Sequence, residues 1–177
     1  EFYPVQACFS PADQKRYLAL EGRLARDCAA IITVNPYLAR MIGEAHGIAA
    51  PQVILNACEP PAIDAAALDA GERARRRRAL GLPADKTLFL YQGWLSPERN
   101  LETMVAAMAA QSAAALAIVG YGAYEETLKA LARDRGVEDR VVFLGRIENE
   151  RLAEVTALAD VGVVPYKAVD EMHRYCS

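Results

Sequence analysis

Thr87-Leu88-Phe89-Leu90-Tyr91-Gln92 is the first of four short apolar runs whose reading decides the fold. The others are Ala114-Ala115-Leu116-Ala117-Ile118-Val119, Arg140-Val141-Val142-Phe143-Leu144 and Asp160-Val161-Gly162-Val163-Val164. Amphipathic helical segments separate them, and each run ends at a turn containing Gly or Pro. Short, near-continuous apolar runs alternating with helices predict repeated β-α units, and so a parallel sheet covered on both faces. In open sheets of this class ligands bind beyond the carboxyl ends of the strands. The segments to search are therefore Gly93-Trp94-Leu95-Ser96-Pro97-Glu98-Arg99-Asn100, Gly120-Tyr121-Gly122 and Gly145-Arg146.

The 177 residues suffice for one full α/β domain and part of another. A content of 53% apolar and 24% charged residues is ordinary for a globular protein, and a net charge of −3 offers no global attraction to nucleic acid. No apolar run reaches the ~20 residues of a membrane span, and the first residues lack the basic-then-apolar layout of a signal peptide. These features predict a cytoplasmic protein, or one peripheral to a membrane. Cys8, Cys28, Cys58 and Cys176 are scattered, with His46 and His173 as the histidines, so reduced thiols and no metal site are expected. A Cys176–His173 pair has no third group to orient it as a nucleophile.

Upstream of the repeat, Ser10-Pro11-Ala12-Asp13 supplies an N-cap, a Pro in the first turn and an early acid, predicting a helix from about Pro11 to Cys28. Ala30-Ile31-Ile32-Thr33-Val34 reads as a buried strand. Asn35-Pro36 opens a second helix that stops at His46-Gly47, and Gln52-Val53-Ile54-Leu55 is a further short strand. Two strands and two helices do not close a core, so this part reads as the tail of a domain whose beginning is absent. Asn56 to Asp64, with Pro60-Pro61, reads as a linker. Ala65 to Leu80 is expected to be a helix stopped by Gly81 and Pro83. Its Arg73, Arg75, Arg76, Arg77 and Arg78 spread round the circumference as a solvated face supported by Asp69 and Glu72, with anionic membrane or phosphate contact as the alternative.

Gly93 allows a close backbone approach at the end of its strand. Arg99 stands near the start of the helix carrying Leu101, Met104, Val105 and Met108. A helix N-terminus plus a guanidinium suits a phosphate or diphosphate, although on the residues alone pairing with Glu98 or Glu102 is the better account of an exposed Arg, and only the motif context below reverses it. Gly120-Tyr121-Gly122 departs from a dinucleotide fingerprint at Glu125, which stands where the third glycine belongs, so a tight strand-to-helix turn is expected instead of NAD binding. Gly145-Arg146-Ile147 offers backbone groups to a flat heterocycle or forms a plain turn. Glu171, beyond Pro165-Tyr166, is a carboxylate able to accept a sugar hydroxyl or to face water.

Five motifs in order carry a resemblance. Val53-Ile54-Leu55-Asn56, Gly93-x-Leu95-x-x-Glu98-Arg99-Asn100, Leu116-Ala117-Ile118-Val119-Gly120-x-Gly122, Val141-x-Phe143-Leu144-Gly145-Arg146 and Ala159-Asp160-Val161-x-Val163-Val164-Pro165-Tyr166 resemble the group 1, or family-4, glycosyltransferases. The resemblance implies a GT-B architecture of two Rossmann-like α/β domains, with residues 1–57 the end of the N-terminal, acceptor-side domain and 58–177 the donor-binding domain. It implies a metal-independent enzyme, without cofactor, that transfers a sugar with retention from a nucleotide-diphosphate sugar of UDP or GDP type. The acceptor would be a saccharide, a lipid-linked group or a small molecule, and cell-envelope polysaccharide synthesis is a common setting.

The family holds the donor diphosphate with an Arg after the first glycine and a Lys five residues on. Arg99 matches the Lys and is the expected catalytic cation, beside Asn100 at the helix end, whereas Trp94 replaces the Arg. Gly93, Gly120 and Gly122 match its turns; Gly145, Arg146 and Ile147 match the base-contacting segment. Glu171 lies near the first acid of the family's E-x7-E segment, a pattern that Ser177 is reached too early to complete, so the piece itself is expected to be inactive. A nucleotide-binding module without transferase activity, suggested by Trp94, and a nucleotide-sugar epimerase of the same fold are the rival readings.

Overall fold

A computed structural model of the protein describes residues 9–57 and 68–168, which divide into two compact units, the first holding residues 9–57 with 167–168 and the second residues 68–166. In the first unit, α1 (Pro11–Asp27) starts where Ser10 accepts the Asp13 N–H and ends with Cys28 at its C-cap. Helix α2 (Pro36–His46) starts where the Asn35 side chain accepts the Leu38 N–H at 2.8 Å and stops at Gly47, whose φ of 61° is left-handed. Both helices follow their sequence signals at each end.

The strands of this unit are shorter than their sequences predict. Strand β1 is Ile32–Thr33 and pairs in parallel with β2, Gln52–Val53. Ile32, Val34, Ile54 and Leu55 are exposed, which corrects the expected buried strand. The physical reason is the small ladder: α2 packs on β1 and β2, and no third strand pairs with either among the described residues.

The second unit opens with α3 (Ala70–Ala79). Its N-cap is Asp69, which accepts the Glu72 N–H, so the helix starts later than the predicted Ala65, which itself lies outside the described residues. Four parallel strands follow: β3 (Thr87–Gln92), β4 (Ala114–Val119), β5 (Val141–Gly145) and β6 (Val161–Gly162), in spatial order β5-β4-β3-β6. Helices α4 (Leu101–Ala110), α5 (Glu125–Asp134) and α6 (Asn149–Thr156) connect them.

Strand periodicity splits the core in two. Tyr91, Leu116 and Ile118 face Leu101, Val105 and Met108 of α4 and Leu128 and Ala132 of α5. The intervening Leu88, Leu90, Ala115, Ala117 and Val119 pack with Leu82 and with Val155 of α6. Helices thus cover both faces, as the apolar runs require, and β4 is buried throughout.

One arginine of α3 departs from the solvated face. Arg77 is 4% exposed. Its guanidinium donates to the Leu158 carbonyl from Nε at 2.9 Å and to the Lys86 carbonyl from Nη1 at 3.1 Å, and lies 2.9 Å from Asp160 Oδ2. Asp160 also accepts the Leu88 N–H at 2.7 Å. Burial would raise the Asp160 carboxyl, but the Leu88 N–H and the Arg77 charge outweigh it and hold the group below its ordinary range. The cluster ties α3 to the beginnings of β3 and β6, at the opposite end of the strands from the turns singled out above. The other arginines behave as expected where Glu72 pairs with Arg75 and Arg76.

Candidate functional site

The strand order places a switch point between β3 and β6: successive strands step from β3 to β4 to β5, and the chain then returns to the other side of β3. A crevice opens at the carboxyl ends of such a pair, because the connections on its two sides leave in opposite directions. The loop after β3 carries Gly93, Trp94, Arg99 and Asn100; the loop after β6 carries Pro165 and Tyr166.

The β3–β4 ladder continues past the strands. Gly93 donates to the Val119 carbonyl at 2.9 Å and Leu95 to that of Tyr121 at 3.0 Å, while Gly120 donates to the Gly145 carbonyl at 2.8 Å. Three turns are thereby stitched edge to edge. The approach is too close for side chains: a Cβ on Gly120 would lie 1.8 Å from the Gly93 carbonyl oxygen, and one on Gly122 would lie 2.2 Å from that of Leu95. Gly120 also has a φ of 142°, which other residues rarely adopt. The glycines expected to cradle a ligand therefore have a structural role in packing turn against turn.

The same stitching brings Trp94 and Tyr121 together, edge to face, with ring centroids 5.0 Å apart and each ring half exposed. The Arg146 guanidinium lies 5.6 Å from the Tyr121 centroid. Trp94, Tyr121 and Arg146 thus form a continuous aromatic and cationic ledge across the ends of β3, β4 and β5. Tyr121 was not among the residues expected here. Ile147, by contrast, packs its side chain against the core beneath α6, leaving only its backbone for a ligand.

Arg99 ends a short 3-10 turn, Pro97–Arg99, and Asn100 follows with a left-handed φ of 56° before α4 begins at Leu101. The cation therefore precedes α4 by a sharp turn. Asn100 Oδ1 accepts the Thr103 hydroxyl at 2.8 Å and caps no backbone N–H through its side chain. Glu98 accepts the Ser96 hydroxyl. The Arg99 guanidinium sits 4.2 Å from the centroid of the Tyr166 ring, and its buried Nε has no hydrogen-bond partner among the described residues.

Beneath the turn, the fully buried Tyr91 donates its hydroxyl to the Trp94 carbonyl at 2.8 Å and closes off the space a Cβ on Gly93 would need. Burial pushes the Tyr91 phenol well above its ordinary range, the neighbouring Tyr166 adds to the effect and the Arg99 charge opposes it. Tyr91 therefore stays a neutral donor at neutral pH. A hydroxyl at the end of a buried strand must find an acceptor, and that was the available sequence signal for this contact. Glu171, His173, Cys8, Cys58 and Cys176 lie outside the described residues, whereas Cys28 is an exposed free thiol. No described helix is long and apolar enough to cross a membrane.

Comparison with known proteins agrees with this geometry. Over 149 residues the chain is 33% identical to a GDP-mannose-dependent alpha-(1-6)-phosphatidylinositol monomannoside mannosyltransferase of Mycolicibacterium smegmatis, covering 81% of this chain and 38% of that protein. It is 36% identical over 119 residues to a D-inositol 3-phosphate glycosyltransferase of Acidothermus cellulolyticus, covering 60% of this chain and 27% of the relative. The chain thus spans well under half the length of these relatives. Among solved structures, Anabaena Alr3699/HepE in complex with UDP superimposes with a TM-score of 0.70 at 20% identity, over 92% of this chain and 45% of the other, a likeness of fold. The fold is the Rossmann-like α/β arrangement of GT-B glycosyltransferases. The family model for glycosyl transferases group 1 matches residues 72–171, more than half of the chain, and the protein belongs to that family.

Proposed function

We propose that the whole protein transfers a sugar from a nucleotide-diphosphate sugar to an acceptor, with retention at the anomeric carbon, and that the crevice between β3 and β6 receives the donor diphosphate. The observation that carries the reading is Arg99: a cation at the switch point, seated on an aromatic face, with a buried Nε that is unmatched among the described residues. In transfer, the bond between the anomeric carbon and the diphosphate oxygen breaks, and negative charge grows on the departing diphosphate. A fixed guanidinium meets that charge without reorganising, which is the usual source of a large electrostatic contribution to catalysis. Its planar fork also matches phosphate oxygens better than an ammonium does.

Residues 1–57 would belong to the acceptor-side domain and 58–177 to the donor side. Gly93, Gly120 and Gly122 would let the backbone reach the ligand, Asn100 would flank the diphosphate, and the backbone of Gly145, Arg146 and Ile147 would contact the base, with Glu171 toward the sugar. The named relatives support a nucleotide-sugar donor, of GDP type in the mannosyltransferase; a cytoplasmic or membrane-peripheral location fits a lipid-linked or small-molecule acceptor.

Calorimetric titration of the chain with UDP, GDP and ADP tests the reading. One nucleotide is expected to bind, and Arg99→Ala is expected to weaken it by about 1.5 to 3 kcal/mol, the range for a charge-assisted hydrogen bond. Affinity unchanged in the variant would remove Arg99 from the site. Binding without transfer by the full-length protein on any nucleotide sugar would instead favour the nucleotide-binding module, for which the ledge at Trp94 is the structural argument.

A further inference from the structure

Arg99 reaches the crevice from the loop after β3, and the ring beneath it comes from the loop after β6, so one contact joins the two sides of the switch point. We propose that Tyr166 is a positioning residue for Arg99: its ring face holds the guanidinium in the orientation in which it meets a nucleoside diphosphate. The inference rests on the donor reading above and adds to it the residue that orients its cation.

Three observations support the assignment. The separation of 4.2 Å is within contact range for a guanidinium lying on a ring, and Arg prefers such faces because its flat, weakly hydrated ion stacks. Arg99 Nε is buried without an acceptor, so hydrogen bonding within the described residues does not fix the head group, and the ring does. Tyr166 is itself anchored, packing against the core that contains Tyr91, Leu95 and Leu101, and Tyr91 in turn pins the Trp94 carbonyl. The turn before Arg99 and the ring below it are thus held by one core. An Arg at this position gains from a flat support in a way that a flexible ammonium would not, which accounts for the pairing of Arg99 with an aromatic residue.

The test is a double-mutant cycle read as the dissociation constant of UDP or GDP, whichever the unmodified chain binds. Tyr166→Leu is expected to weaken binding about fivefold and Tyr166→Phe less than about twofold, since the ring face is what matters. In an Arg99→Ala background, Tyr166→Leu is expected to change nothing further. An equal loss in both backgrounds, or no loss in either, overturns the positioning role. Should Tyr166→Leu fail to fold, phenylalanines bearing one, two and three ring fluorines at position 166 keep the shape and progressively empty the ring face. A stepwise loss of affinity supports the proposal, and a flat series with binding intact overturns it. Failure of the unmodified chain to bind any nucleoside diphosphate would overturn the donor reading, and the positioning role with it.

Discussion

Strand β4 and the apolar runs that contain β1 and β2 both carry isoleucines, yet Leu116, Ala117 and Ile118 are fully buried while Ile32, in β1, and Ile54, just past β2, are 59% and 54% exposed. Their isoleucines alone do not separate them. The difference is neighbours: β4 has a strand on each side and helices on both faces, whereas among the described residues β1 and β2 have each other and α2. Apolar sequence becomes a long strand only where partners exist to remove it from water. The second unit is accordingly where the central strands have partners on both sides, and the stitched turns of the candidate site grow out of it.

The sharpest way to break this contrast is Gly120→Ala. The new Cβ would meet the Gly93 carbonyl, which is backbone and has nowhere to move, at a φ that alanine disfavours. A loss of more than about 3 kcal/mol is expected for the second unit. Trp94 is the chain's single tryptophan and lies in that unit, so its fluorescence during urea unfolding follows the effect. Leu116→Ala removes a fully buried side chain from the centre of the sheet and is expected to cost about 3 kcal/mol by the same measurement.

Arg77→Met, which keeps the buried stem and deletes the head group, is expected to cost about 2 kcal/mol. It leaves the Leu158 and Lys86 carbonyls without their donor, while Asp160 retains some access to water. The same cluster sets a pH dependence. Because the folded state holds the Asp160 carboxyl below its unfolded value, the stabilisation is complete above the unfolded value and is lost as pH falls through the folded one. Asp160→Asn should flatten that acid limb in urea midpoints measured across pH. At the small end, Leu55→Ser in the first unit replaces an exposed side chain and should change stability by less than about 0.5 kcal/mol. A large loss there would mean that the β1–β2 ladder is better covered than its exposure indicates.

Much of the frame was legible in the chain itself. The bounds of β3 and β4 are those of the apolar runs, and Ser10, Asn35 and Gly47 mark helix ends because capping is a local exchange between neighbouring residues. Gly93, Gly120 and Arg99 stood out by following strands. What was misread involved residues distant in sequence. Arg77 looked like one solvated arginine among five, and only α3 laid against the starts of β3 and β6 shows it buried. Tyr166 closes a family motif and Tyr121 sits between two glycines, but neither position tells which ring or cation it meets, since each matters through a group supplied by another loop.

The sequence by itself determined the kind of sheet, the helix caps, the family and the turns worth searching, because periodicity, capping and motif order are properties of short stretches. Tertiary structure alone decided that β6 returns to pair with β3, that Arg99 rests on Tyr166 across the resulting crevice, and that Gly120 has room for no side chain. Those are contacts between segments whose separation along the chain hides them, and they exist only once the core has brought the strand ends together.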